Sequence, residues 1–283
     1  MNLSDRALLV QLSISQWTAR KHDKRASKEV TEANAASTSA GRFNKSLLPM
    51  NDYLDNVHKK SGLIRNMYYD NTLPWGIEGT QMLPSANYLA FMTEFRKQKA
   101  EWEQLVSEFI DHYDYLKANA QRFLGTLYND ADYPVATEII SKFKMDMAVF
   151  PVPSNDFRVS IGSDELNRIQ QDVERRVQEA QTTATRDVWQ RLFDKVEKIA
   201  ERLSDPTSKF RDSLIENARE MCELLPRLNF TDDPQLEAMR QEVESKLVSM
   251  SVEVLRSDPL VRRNTAADAK AIMDKMSVFM GAV

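Results

Sequence analysis

Glycine is scarce in this chain, with seven in 283 residues. That leaves little material for the glycine-built turns that cradle phosphates or flank catalytic nucleophiles. Cysteine is nearly absent. Cys222 stands alone, so no intrachain disulfide can form, and an intracellular compartment is expected. No window approaches 18 consecutive apolar residues, which excludes a transmembrane helix. The first residues, Met1 to Arg6, lack the basic-then-apolar order of a secretory signal. Two stretches, 85–124 and 163–205, lack both Gly and Pro. Each is long enough for a helix of about 60 Å at 1.5 Å per residue.

Hydrophobic residues make up 42% of the chain, enough for a buried core, and charged residues 28%. The net charge of -4 is unevenly spread. Residues 1–66 hold 11 Lys and Arg against 6 Asp and Glu, whereas the remainder holds 27 against 36. Such polarity marks an acidic-partner or nucleic-acid surface, lets one subunit's head meet another's tail, or is a solvated face without a partner.

Leu8, Val10, Leu12 and Ile14 form one face of an expected strand over residues 8–15. Residues 27–40 read as a weak helix or a mobile arm, and 52–69 as a helix. Pro74, Gly76, Gly79 and Pro84 mark 70–84 as an irregular connection. From about Ser85 to Leu127 a helical seam runs through Tyr88, Phe91, Phe95, Trp102, Leu105, Phe109, Leu116 and Phe123. Alternation in 145–151 and 157–161 predicts a hairpin, which with residues 8–15 would make a sheet of about three strands. Ser163 caps a second long helix. Its narrow stripe is Leu166, Ile169, Val173, Val177, Ala180, Ala184, Val188, Leu192, Val196, Ile199 and Leu203. The mean spacing is near the 3.6 of an untwisted helix. Three helices follow, at about 208–225, 234–256 and 265–280, separated by Pro206, Pro226, Pro234 and Pro259.

The fold expected is α+β and predominantly α. Two long antiparallel helices accompany a small, about three-stranded sheet and a C-terminal helical bundle. The chain divides into a basic region at 1–84, a long helical hairpin at 85–205 interrupted by a β-hairpin at about 145–161, and a helical segment at 206–283.

Enzyme chemistry finds little support. Gly41-Arg42-Phe43-Asn44-Lys45-Ser46 ends like a phosphate-binding loop but lacks the glycine before the lysine and a preceding strand. His22, His58 and His112 are far apart, and Cys222 has no partner for a metal site. Cys222 reads as a small core residue, and His112 as a core histidine. Asp130, Asp132, Asp232 and Asp233 read as ordinary turn acids. No nucleophile elbow is present. Neither cofactor nor metal is expected.

The basic N-terminal region carries more. Trp17, Arg20, Lys21, Lys24, Arg25, Arg42, Lys45 and Trp75 are the candidate contacts for a partner or a nucleic acid, with Phe43, Tyr68 and Tyr69 nearby. Cations that follow phosphates, interleaved with rings on which bases stack, are the parts of a single-strand binder. The structural alternative is core aromatics with solvated cations, and net acidity opposes broad binding to polyanions.

Several segments form a signature: Leu12-Ser13-Ile14-Ser15 with Trp17, Ala19-Arg20-Lys21 and Asp23-Lys24; then Gly41 to Lys45 and Leu47-Leu48-Pro49. Thr72-Leu73-Pro74-Trp75, Asp132-Tyr133-Pro134 and Asp156-Phe157-Arg158-Val159 extend it to about residue 161. In these segments the chain resembles a family of tailed-bacteriophage proteins of unknown function. The family has no catalytic residues to carry over. Its genes often lie near those of MoxR-type AAA+ ATPases and von Willebrand A-type proteins. The resemblance implies an adaptor or substrate-recognition subunit in the host cytoplasm, acting on such an ATPase or against a host factor. The apolar stripes on 88–127 and 166–203 and the opposed charges of the two ends lead us to expect a homo-oligomer, and the residues lead us to expect neither catalysis nor membrane contact. The alternative is a single-stranded-DNA-binding protein of phage DNA metabolism.

Overall fold

The computed structural model describes residues 3–49, 51–154 and 163–281. Helices take 69% of it and strands 11%, so the fold is α+β and predominantly α. In chain order the elements begin with β1 (Ala7–Ser15), β2 (Arg20–His22), α1 (Lys24–Ala33), β3 (Asn44–Ser46) and α2 (Asp52–Asn71). Then come β4 (Leu73–Pro74), β5 (Thr80–Pro84), α3 (Ser85–Leu124), α4 (Ala136–Ile140) and β6 (Lys144–Pro151). The remainder is helical: α5 (Ser163–Ser204), α6 (Ser213–Leu228), α7 (Pro234–Val243), α8 (Val252–Ser257) and α9 (Pro259–Met280). A π turn at Glu244–Val248 follows α7.

The chain forms two compact units, each built from segments that are not consecutive. The first holds Met1–Gln11, Tyr68–Met92 and Ala148–Val283; the second holds Leu12–Met67 and Thr93–Met147. These units cut across the three consecutive stretches expected from the sequence.

The main sheet has the order β4-β5-β1-β6. β1 pairs antiparallel with β5, from Ala7↔Pro84 to Gln11↔Thr80. The segment 70–84, expected to be irregular, is thus a β-hairpin: β4 pairs with β5 through Leu73↔Met82 and Pro74↔Gln81. Gly76 and Gly79 sit between those strands with φ of +85° and +76°. The glycines that argue for a loop are what let the chain reverse so tightly. The second hairpin strand expected at 157–161 lies outside the described residues.

In the first unit α5 is the central helix. From Ala180 to Leu203 its stripe is buried as expected, widened by Trp189 and Ala200. α9 runs antiparallel to it: Arg262 donates to the carbonyls of Arg202 and Leu203, 2.9 and 3.2 Å, at one end. At the other, Phe279 lies against Trp189 with ring centroids 5.6 Å apart. α6, α7 and the π turn complete the C-terminal bundle. Asp233 is more than a turn acid. Its Oδ1 accepts from the backbone of Gln235 and Leu236, capping α7, and its Oδ2 accepts from Trp189 Nε1 at 3.1 Å.

Cys222 is buried in this bundle, and burial pushes its thiol pKa up to about 12. A thiolate is the reactive form, so Cys222 is expected to resist thiol reagents at pH 8 and to react fully once urea unfolds the chain. Native-state labelling as fast as that of a free thiol would contradict this placement.

In the second unit the buried row of α3 is Phe95, Trp102, Val106, Phe109, Tyr113 and Ala120. The expected seam holds as far as Phe109 and then rotates, leaving Phe123 59% exposed. A straight helix drifts about 20° per heptad against a 3.5 repeat, so five heptads from Tyr88 to Phe123 amount to roughly one residue's step. Opposite this row, Ser61 of α2 accepts from Trp102 Nε1 at 2.8 Å. His112 is half-buried, stacked on Tyr53 at 4.1 Å.

Candidate functional site

The basic N-terminal residues converge on a small module of the second unit: the β2–β3 ribbon and α1. The ribbon register is Arg20↔Ser46, Lys21↔Lys45 and His22↔Asn44. Directly opposed residues share a face of a ribbon, which places Lys21 and Lys45 side by side. Asp132, from the turn Asp130–Asp132, accepts from both lysines, at 3.4 Å from Lys21 and 2.8 Å from Lys45. Asp23 is 3.0 Å from Lys45 on its other carboxylate oxygen while its Oδ1 caps α1 through Ala26.

Lys45 is therefore not a surface contact, as the sequence suggested, but is 5% exposed. A lysine ammonium has three donors, and Lys45 meets three acceptors: Asp23, Asp132 and the carbonyl of Leu127 at 2.6 Å. The titration of all three groups reflects this. The Ala26 backbone N–H and Lys45 hold Asp23 below the usual carboxylate range. Burial pushes Asp132 upward, but hydrogen bonds from Lys45 and Lys21 outweigh it and keep it low. Burial likewise opposes the charge on Lys45, and its two carboxylates overcome that and raise its pKa. The ion cluster is internal wiring. Asp132, read as an ordinary turn acid, is one of its two counter-ions; no spacing in the sequence links residues 23, 45 and 132.

Trp75 is also withdrawn, 6% exposed within the core of the first unit. Trp17 is half-buried against Phe109 and Tyr113, with ring centroids 6.2 and 5.9 Å away. Trp75 is a packing group by its burial, and Trp17 is one in part, its ring resting against two other aromatic rings. Lys21 is partly committed to Asp132. Arg25 donates to the Thr126 carbonyl at 2.7 Å while remaining largely exposed. Arg20, Lys24 and Arg42 are exposed. Beside Arg42, Phe43 is 36% exposed.

A polar hollow of 390 Å³ opens next to Arg20, bounded by Gln16, Thr18, Asn51, Asp55 and His58. Asn51 caps α2 through Oδ1, accepting from Tyr53 and Leu54. His58 Nε2 lies 2.9 Å from the Trp17 carbonyl and so holds the backbone in place. The charges around the hollow are mixed, one cation and one carboxylate, which suits hydrogen bonding to a protein surface better than capture of a polyanion. Among the described residues no group of three or more His, Cys, Asp or Glu is arranged to hold a metal, and no helix is long and apolar enough to cross a membrane.

A second surface lies in the first unit. The stripe of α5, buried from Ala180 onward, is only half-buried at Leu166, Ile169, Val173 and Val177. Among the described residues Val177 still touches the core, whereas the other three are not packed against it. Beside them is a groove of 470 Å³ lined by Ile77, Val173, Val177 and Ala180 together with Arg175, Arg176 and Glu179. Comparison with known proteins returned no matching family model, no matching curated protein and no matching solved structure.

Proposed function

We propose that this chain is a non-catalytic adaptor that acts by protein–protein contact, and that the β2–β3 ribbon with α1 is the face that meets its partner. The observation behind this reading is that Arg20, Lys24 and Arg42 are exposed while Trp75 is buried and Trp17 is half-buried against other aromatic rings. Exposed cations with few open rings among them suit an acidic protein surface better than unpaired bases. The resemblance to tailed-phage proteins points to a MoxR-type AAA+ ATPase or a host factor as that partner, and to the cytoplasm of the infected cell as the place. A second reading, single-stranded-DNA binding, draws on Phe43, whose partly open ring next to Arg42 offers a base one stacking face.

Charge reversal separates the two. Arg20→Glu, Lys24→Glu and Arg42→Glu together are expected to abolish capture of a protein partner from infected cells, and that capture by the wild type should survive nuclease. Oligonucleotide binding by the wild type should remain weaker than micromolar at physiological salt. Tight DNA binding with a steep salt dependence would reject the adaptor reading in favour of the second. In that case the slope of the variant should be shallower by about 0.7 for each phosphate it no longer neutralises.

A further inference from the structure

The polar hollow beside Arg20 has a donor in its lining that the fold leaves unused. Asn51 lines this 390 Å³ hollow and is only 4% exposed. Its Oδ1 caps α2, but its Nδ2 is shielded from solvent and has no hydrogen-bond partner among the described residues. We propose that the hollow receives the carboxamide side chain of a glutamine or asparagine from the partner protein. This rests on the adaptor reading above and names the chemical group by which the partner is recognised.

Three observations carry it. The first is the unused donor. A buried donor without an acceptor is unfavourable, and native proteins leave few of them. Exchanging the two ends of the amide does not remove it. The backbone N–H groups of Tyr53 and Leu54 need an acceptor, at 3.1 and 3.4 Å, so the cap fixes which atom is oxygen. An entering carbonyl oxygen supplies what Nδ2 lacks. Because Nδ2 is shielded, binding requires the lining to part slightly, and Thr18, Arg20 and Ser46 are exposed members of it that can move aside.

The second is the pairing of groups along α2. The Asp55 backbone N–H donates to the Asn51 carbonyl at 3.3 Å, so helical spacing begins at Asn51. Asn51 and Asp55, one turn apart, share a face, with Cβ atoms about 5–6 Å apart. Both line the hollow. One offers a donor and the other a carboxylate, which only accepts. A primary carboxamide matches both, with its oxygen toward Nδ2 and its NH2 toward Asp55. A glutamate side chain would set like charge against Asp55. A lysine would bring donors to Nδ2 and a second cation to Arg20.

The third is a fixed surround. His58 Nε2 lies 2.9 Å from the Trp17 carbonyl, and Gln16 Oε1 accepts from Ser61 at 2.7 Å. Between Trp17 and the ribbon, the carbonyl of Ala19 accepts from the Leu47 backbone at 2.7 Å. Walls held in this way lose little freedom when a ligand enters. Arg20 belongs both to this lining and to the exposed cations of the ribbon face. A side chain entering the hollow therefore comes from a protein lying on that face.

The test uses blocked Gly-Gln-Gly, Gly-Glu-Gly and Gly-Met-Gly peptides, titrated to about 100 mM into the full-length, nitrogen-15-labelled chain. The glutamine peptide should move the side-chain NH2 signal of Asn51, identified by its loss in Asn51→Asp, and approach saturation. The other two should bind about tenfold more weakly or less. Asn51→Asp keeps an oxygen for the cap, and aspartate caps as well as asparagine. Helix content should therefore be unchanged, while glutamine-peptide binding, followed on the backbone signals of Ala19 and Asp55, drops about tenfold. Asp55→Ala should weaken it several-fold. Equal binding of the three peptides, a preference for the glutamate peptide, no binding of any, or binding indifferent to Asn51→Asp overturns the proposal. These titrations contain no partner, so such a failure leaves the adaptor reading to be judged by capture and charge reversal. A chain that takes the glutamine peptide but captures no protein overturns the adaptor reading, and with it the partner as the source of the carboxamide.

Discussion

Replacing Trp189 by alanine should destabilise the first unit by about 3–5 kcal/mol, the range for removing a large buried aromatic. Trp189 is fully buried at the centre of α5. Its ring packs against Phe279 of α9, and its Nε1 donates to Asp233, which also caps α7. The substitution therefore opens a cavity and withdraws a hydrogen bond from a helix cap in one step. Trp189→Phe should cost less, since it keeps most of the packing and loses only the donor. Urea unfolding followed by circular dichroism measures both. Leu166→Ala is the internal control: its side chain lies outside the core, and its cost should stay within about 0.5 kcal/mol, as for ordinary surface substitutions. A Trp189→Ala variant as stable as that control would mean that α5 and α9 are not packed as described.

The second large effect concerns Lys45. Lys45→Ala leaves Asp23 and Asp132 facing one another in a nearly closed site, and breaking a buried pair from one side costs about 3–5 kcal/mol. Lys45→Met with Asp132→Asn removes a charge of each sign and should recover more than half of that loss. The pH dependence follows from the titration shifts. Asp23 and Asp132 are held below their ordinary range, so their contribution is present above about pH 4. It fades as acid protonates them in the folded state. Lys45 is shifted upward, so its contribution is complete below about pH 10.5 and is lost as pH climbs through its raised value. Stability of the second unit should therefore be level across neutral pH and fall at both extremes. Lys45→Ala should behave oppositely on the acid side. Its two carboxylates repel, protonation relieves them, and its deficit against wild type should narrow from pH 7 toward pH 4. A deficit that does not change with pH would show that the cluster is not ionic.

The long helices were legible because periodicity is a local signal carried by many residues at once. α3 and α5 both start at the serine where the pattern begins, and prolines mark the starts of α7 and α9. What failed to show were features made by pairing distant segments. β2 and β3 are three residues each and polar, so neither alternation nor β-branching reveals them. β4 and β5 were hidden by glycines that serve a turn. At the candidate site the residue types were legible but their exposure was not. A lysine in a polar stretch reads as solvated until the acids at 23 and 132 are brought to it. A tryptophan beside basic residues looks like a free stacking platform until Phe109 and Tyr113 are found packed against it.

The interleaving of the two units has a bearing on how the chain is made. Every residue of the second unit has been synthesised once residue 147 is joined, whereas the first needs Met1–Gln11 to meet segments that end at Val283. Translation at about 5–20 residues per second therefore separates the two completion times by roughly 7–27 s. At the start of that interval β1 has been made but Trp189 and the helices around it do not yet exist. The amino-terminal strand begins one body, its chain goes on to build another, and the last body to close is the one that was started first.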